Sequence, residues 1–158
     1  MRIVLTGGGT GGHLVPFEPI ADALRTVHGE QKGILPPWID VSSLDVYFLG
    51  VTDTKTRDFF SRLSVITITI PSGKLRRYPS PYTVSDLLFR LPLGILKALF
   101  YMWRIMPDVV ISKGGYVSFP VLFAAKLLRI PVIIHESDTV PGRVNVWSGK
   151  FAKKVALS

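Results

Sequence analysis

Three short runs of this chain carry residue types suited to chemistry. The first is Gly7-Gly8-Gly9-Thr10-Gly11-Gly12-His13, which follows Arg2-Ile3-Val4-Leu5-Thr6 directly and precedes a helical pattern opened by Pro16. A strand that runs through glycines into a helix aims free backbone N–H groups and the positive end of a helix dipole at one point, which suits phosphate or pyrophosphate. His13 adds a group that changes charge near neutral pH. The second run is Lys113-Gly114-Gly115-Tyr116-Val117-Ser118-Phe119-Pro120, again glycines leading into a helix. The third is His135-Glu136-Ser137-Asp138, with Gly142 and Asn145 beyond it. Two glycine loops and a His-Glu-x-Asp cluster at one sheet edge are far more specific than any single loop.

Gly7, Gly9 and Gly12 also satisfy the dinucleotide pattern G-x-G-x-x-G. That pattern wants an acid about 20 residues further on, at the end of the second strand, to hold a ribose. Here the first acid after the expected second strand is Asp53, which comes too late. A nicotinamide-binding Rossmann domain is therefore the weaker alternative. The bland alternative is a tight strand–helix turn with no ligand.

The elements that must position these runs alternate between strand and helix. The expected strands are Ile3–Thr6, Leu44–Gly50, Val65–Ile70, Asp108–Ser112, Pro131–His135 and Lys154–Leu157. The expected helices are Pro16–His28, Lys55–Leu63, a long stretch from Val84 to Met106 that Pro92 and Gly94 should bend or divide, Phe119–Leu128 and Val144–Ala152. Glu30–Ser43 and the basic Pro71–Tyr82 read as loops. Apolar strands alternating with helices predict an α/β, Rossmann-like parallel sheet covered on both faces, with ligands at the carboxyl ends of the strands.

At 158 residues the chain is one domain's worth of sequence, and without cysteine it excludes disulfides and thiolate metal sites. No other cluster has metal-ligand spacing, so neither metal nor cofactor is expected. A formal charge of +8 points to an anionic partner. A hydrophobic content of 47% argues for a membrane surface over a nucleic-acid arm, and no nucleic-acid partner is expected. The N-terminus enters a strand at once with no signal-peptide pattern, so a cytoplasmic location is the default. The stop at Ser158 in or just after a strand leads us to expect one half of something larger.

These loops, in this order and spacing, resemble the N-terminal half of the MurG family of GT-B glycosyltransferases. The family's G-G-T-G-G-H-x-x-P appears as Gly8, Gly9, Thr10, Gly11, Gly12, His13 and Pro16. Its G-G-Y-V-S-x-P appears as Gly114, Gly115, Tyr116, Val117, Ser118 and Pro120. Its H-E-x-N with a following Gly and Asn appears as His135, Glu136, Gly142 and Asn145, with Asp138 replacing the asparagine and trading an amide donor for a negative charge. The resemblance spans Met1 to Ser158 but covers the acceptor-binding half only, and implies that a C-terminal UDP-sugar-binding domain is missing. It implies transfer of GlcNAc from UDP-GlcNAc to lipid I (undecaprenyl-pyrophosphoryl-MurNAc-pentapeptide), giving lipid II with inversion at the sugar. It also implies a peripheral position on the cytoplasmic face of the bacterial membrane.

The implied roles follow. The two glycine loops cradle the acceptor's pyrophosphate. His13 is the leading base for the acceptor C4 hydroxyl, the alternative being a loop-capping or phosphate-binding histidine. Glu136 is a second base or an orienter of a hydroxyl, or it holds loop amides. Tyr116 lines the acceptor cleft or packs the loop. Asp138 and Asn145 lie near the donor. His28 reads as a surface residue facing the helix dipole. A membrane-recruiting subunit of a two-chain glycosyltransferase is the other alternative, though such subunits usually begin with an anchor.

A separate feature is the basic, apolar stretch that includes Arg76, Arg77, Leu88, Phe89, Arg90, Lys97, Phe100 and Trp103. A bilayer span needs about 20 apolar residues, and Arg90, Pro92 and Lys97 interrupt this one. An interfacial helix with a basic rim is expected, the alternative being a core-facing helix with solvated charges.

Overall fold

The computed structural model describes residues 1–8, 14–30, 43–73 and 86–157. The chain forms β1 (Arg2–Gly7), α1 (Phe17–Glu30), β2 (Asp45–Gly50), α2 (Thr54–Arg62), β3 (Ile66–Thr69), α3 (Leu91–Ile105), β4 (Val109–Gly114), α4 (Phe119–Leu127), β5 (Val132–Glu136), α5 (Arg143–Gly149) and β6 (Lys154–Leu157). The six strands form one parallel sheet in the order β3-β2-β1-β4-β5-β6. The expected Rossmann-like architecture is present, with each element within a few residues of its expected place.

Strand alternation divides the core into two layers. Val4, Leu49, Val110, Val132 and Ile134 face α3 and α4 through Ala98, Met102, Val121, Leu122 and Ala125. Ile3, Leu5, Val46, Phe48 and Ile111 face α1 and α2 through Phe17 and Phe60. Phe48 and Phe60 stack with centroids 4.2 Å apart, and Phe17 meets Phe48 edge-on at 5.9 Å. Phe17 is the first residue of α1, so this aromatic cluster fixes where the helix begins behind the glycine loop.

The long helical stretch is divided, but not where glycine would divide it. A π-helical turn, Asp86–Arg90, precedes α3, and Pro92 sits in the first turn of α3, where its missing N–H costs nothing. Gly94 lies inside regular helix. A Cβ there would come within 2.0 Å of the Pro71 carbonyl oxygen, so this glycine permits close packing and no bend. β4 runs two residues beyond expectation, which places Lys113 and Gly114 in the strand. β5 likewise extends to include Glu136.

Candidate functional site

β1 lies between β2 and β4, and the connections on its two sides run in opposite directions across the sheet. Such a switch point leaves a crevice at the carboxyl ends of the two central strands. Gly7 pairs with Gly114 there, after a shift in register between Thr6 and Gly7. Gly114 and Gly115 have φ of +85° and +84°, a region L side chains rarely enter. A Cβ on Gly115 would stand 2.8 Å from the Gly8 carbonyl oxygen, so the first two loops touch backbone to backbone. A Cβ on Gly114 would stand 2.2 Å from Asn145 Oδ1, so the third loop meets the second at the neighbouring residue. Gly8, Gly114, Gly115 and Asn145 therefore converge as expected.

Ser118 is fully buried, and its hydroxyl donates to the Gly115 carbonyl at 2.7 Å, closing the glycine turn. The amide of Gly114 donates to Ser112 Oγ at 3.0 Å. Tyr116 is half-buried at the head of the turn preceding α4, and its carbonyl accepts from the Ser72 hydroxyl at 3.1 Å. The N-termini of α1 and α4 both open toward the carboxyl edge of the sheet, adding partial positive charge at the crevice.

Glu136 is buried at 7% exposure and its carboxylate is fully engaged. Oε1 accepts from the backbone N–H of Ser137 and of Asp138, each at 3.0 Å, and Oε2 accepts from Asn145 Nδ2 at 2.7 Å. Burial pushes this carboxyl upward, but the hydrogen bonds from Asn145, Asp138 and Ser137 outweigh it and hold it below its ordinary value. The arrangement is that of a residue holding loop amides. It also shows what position 138 contributes to this network: the backbone N–H donates, while the Asp138 side chain is exposed. Asp138 and Asn145 line a neighbouring groove of about 490 Å³, together with Pro141, Val155 and Leu157.

Beside this network lies an arrangement the sequence does not announce. Lys113 is 6% exposed, and its ammonium donates to His135 Nδ1 at 3.1 Å and to Ser137 Oγ. Burial, reinforced by the Lys113 charge and opposed by Glu136, holds the His135 imidazole below its ordinary pKa. Strand parity was the available signal: residues 111 and 113 on β4 share a face with 133 and 135 on the adjacent β5.

Gly9, Thr10, Gly11, Gly12 and His13 lie outside the described residues, as do Arg76, Arg77 and the His28 side chain. The remaining members of the basic, apolar stretch are placed. Gly94, Ala98, Met102 and Ile105 form the buried stripe of α3. Leu88, Phe89, Leu93, Leu96, Phe100 and Trp103 are 55–66% exposed, with Arg90, Lys97 and Arg104 exposed among them. One face of α3 thus packs into the core, while the other leaves apolar and basic side chains exposed together. Among the described residues no helix is long and apolar enough to cross a membrane.

The glycosyltransferase family 28 N-terminal domain profile matches residues 40–157. The chain is 37% identical over 158 residues to the UDP-N-acetylglucosamine–N-acetylmuramyl-(pentapeptide) pyrophosphoryl-undecaprenol N-acetylglucosamine transferase of Legionella pneumophila (strain Lens), covering 99% of this chain and 39% of that one. It is 38% identical over 157 residues to the protein of the same name from Lachnospira eligens, covering 99% and 40%. Among solved structures, Acinetobacter baumannii MurG superposes with a TM-score of 0.71 at 26% identity, over 99% of this chain and 40% of that one. The chain thus spans about two-fifths of the length of these relatives.

Proposed function

Because the chain belongs to the glycosyltransferase family 28 N-terminal domain family, we propose that it is the acceptor-binding part of an enzyme that transfers GlcNAc from UDP-GlcNAc to lipid I. The observation that carries this reading is the meeting of two glycine loops at the β1–β4 switch point, with Gly8 and Gly115 in backbone contact. Such a crevice offers amide donors and helix N-termini with no side chain in the way, which suits the pyrophosphate of an undecaprenyl-pyrophosphoryl sugar.

In the proposed reaction the acceptor's C4 hydroxyl attacks the anomeric carbon of GlcNAc in line. The bond to UDP breaks as the new glycosidic bond forms, and the sugar inverts. His13 takes the hydroxyl proton, since a neutral imidazole has suitable proton affinity near pH 7. Glu136 shapes the loop that carries Asp138 and Asn145 toward the donor side. Most donor contacts belong to a second domain outside these 158 residues, so this chain alone binds acceptor and turns over little.

The exposed apolar residues of α3 and the preceding turn, ringed by Arg90, Lys97 and Arg104, seat the domain on an anionic membrane surface at the cytoplasmic face. The acceptor's lipid tail is then delivered beside the crevice. A binding titration tests the reading. A soluble lipid I analogue should bind saturably to this chain, Gly11→Val should abolish binding, and UDP-GlcNAc and NADH should bind weakly. Tight NADH binding with no response to the analogue overturns it in favour of a nicotinamide site.

A further inference from the structure

Lys113 brings a buried positive charge to the carboxyl rim of the sheet, and among the described residues no carboxylate lies within ion-pair distance of it. Glu136, at the end of the adjacent strand, is already committed to Ser137, Asp138 and Asn145. The ammonium instead rests on two neutral acceptors, His135 Nδ1 and Ser137 Oγ. Burying a charge is costly unless its hydrogen bonds are made, so these two contacts do more than decorate the rim.

An ammonium has three donors and no acceptor, so the ring nitrogen it contacts must present its lone pair. We propose that Lys113 is a positioning residue for His135: it holds the imidazole as the neutral Nε2–H tautomer, a hydrogen-bond donor at the rim, while Ser137 steadies the ammonium. Protonating the ring would set two cations 3.1 Å apart. Among the described residues the charges bearing on the ring are Lys113 on β4 and Glu136 on its own strand, while β6 places Ala156 opposite it. His135 is thereby barred from acting as a base through Nδ1. Its Nε2–H is left to donate to an oxygen of the bound acceptor, a step that rests on the acceptor-binding reading above.

The first test needs no ligand. In the 15N-labelled chain at pH 7, with His135 assigned by its loss in His135→Gln, long-range 15N–1H spectra should show Nε2 protonated and Nδ1 bare. A protonated Nδ1, or an imidazolium, overturns the proposal. Lys113→Met should raise the His135 pKa and admit both tautomers, whereas Lys113→Arg should keep the wild-type pattern. A folded Lys113→Met with unchanged tautomer and titration also overturns it. Should Lys113→Met not fold, the wild-type and Lys113→Arg spectra decide.

The second test titrates a soluble lipid I analogue, inorganic pyrophosphate and the phosphate-free muramyl pentapeptide. His135→Ala, which removes the Nε2–H donor itself, should weaken the lipid I analogue roughly tenfold, the scale of one hydrogen bond. A parallel loss for pyrophosphate assigns the recipient oxygen to phosphate, and a parallel loss for the muramyl pentapeptide assigns it to the sugar. Unchanged affinity for all three in His135→Ala overturns the donor role. A wild-type chain that binds none of the three overturns the acceptor reading and leaves the tautomer result to stand by itself.

Discussion

Asn145 Nδ2 donates to Glu136 Oε2 at 2.7 Å, and this one bond ties α5 to the end of β5. Asn145 Oδ1 is buried and has no partner among the described residues. A glutamine at 136 could therefore keep the link by a flip of the Asn145 amide, turning Oδ1 toward the new NH2 group. Glu136→Gln should cost on the order of 1–2 kcal/mol, and Glu136→Ala more, because alanine strands two backbone N–H groups and the Asn145 amide. Since the folded-state pKa of Glu136 lies below its ordinary value near 4.5, its stabilisation is present above that pH and fades as pH falls through the folded value. Urea unfolding at pH 7 and across the acid range checks both points: Glu136→Gln should flatten the acid limb.

Two glycines of this chain should respond in opposite senses to the same added methyl group. Gly115 combines φ of +84° with a Gly8 carbonyl oxygen 2.8 Å from any Cβ, so Gly115→Ala should destabilise by about 1–3 kcal/mol and open the contact between the two loops. Binding of a lipid I analogue should fall with it. Gly29, within α1, has nothing within 4 Å of its would-be Cβ, and Gly29→Ala should stabilise by roughly 0.5–1 kcal/mol. Thermal unfolding of the two variants beside wild type decides the pair.

Periodicity made the alternation of strands and helices legible, because continuous apolar strands such as Ile3–Leu5 and Val109–Ile111 have one stable use, burial between helical layers. Glycine runs made the crevice legible, because backbone contact of the Gly8–Gly115 kind leaves no room for a side chain. What escaped the sequence was set by neighbours across the sheet. Lys113 reads as part of a solvent-facing glycine loop until the register of β4 on β5 places it beside His135. Gly94 reads as a helix breaker until the Pro71 carbonyl is found against it. Glu136 reads equally as base or brace, and its three donors come into view only in space. Each of these depends on a contact between residues distant in sequence, which no local pattern encodes.

The exposed face of α3 should govern membrane binding without governing stability. Phe100 and Trp103 are 55% and 66% exposed, so Phe100→Ser with Trp103→Ser should leave the unfolding midpoint close to wild type. Sedimentation with vesicles containing anionic lipid should fall strongly in that variant. Lys97→Glu should weaken vesicle binding further at low salt than at high salt, each cation near the surface contributing about 1 kcal/mol before screening. Met102→Ala on the buried stripe should do the reverse, costing about 2–5 kcal/mol of stability with little effect on partition per folded molecule. Equal vesicle binding by wild type and the double serine variant would remove this face from the membrane.

His135 should give stability a second pH dependence, one that sets in at higher pH than that of Glu136. Its folded-state pKa lies below the ordinary value of 6.5, first through burial and then through the Lys113 charge. Between those two values the unfolded chain binds the proton and the folded chain does not, so stability is full above about pH 6.5 and is lost as pH falls toward the folded value. Lys113→Met removes the repelling charge and should shrink this loss. Glu136→Gln removes the charge that opposes it and should enlarge the loss, even as it flattens the limb at lower pH. Unfolding free energies of the three proteins, measured in small steps from pH 8 to pH 4, separate the two groups. A loss setting in below pH 6.5 that stays the same in Lys113→Met would mean that burial alone sets the imidazole, with no share for the ammonium 3.1 Å away.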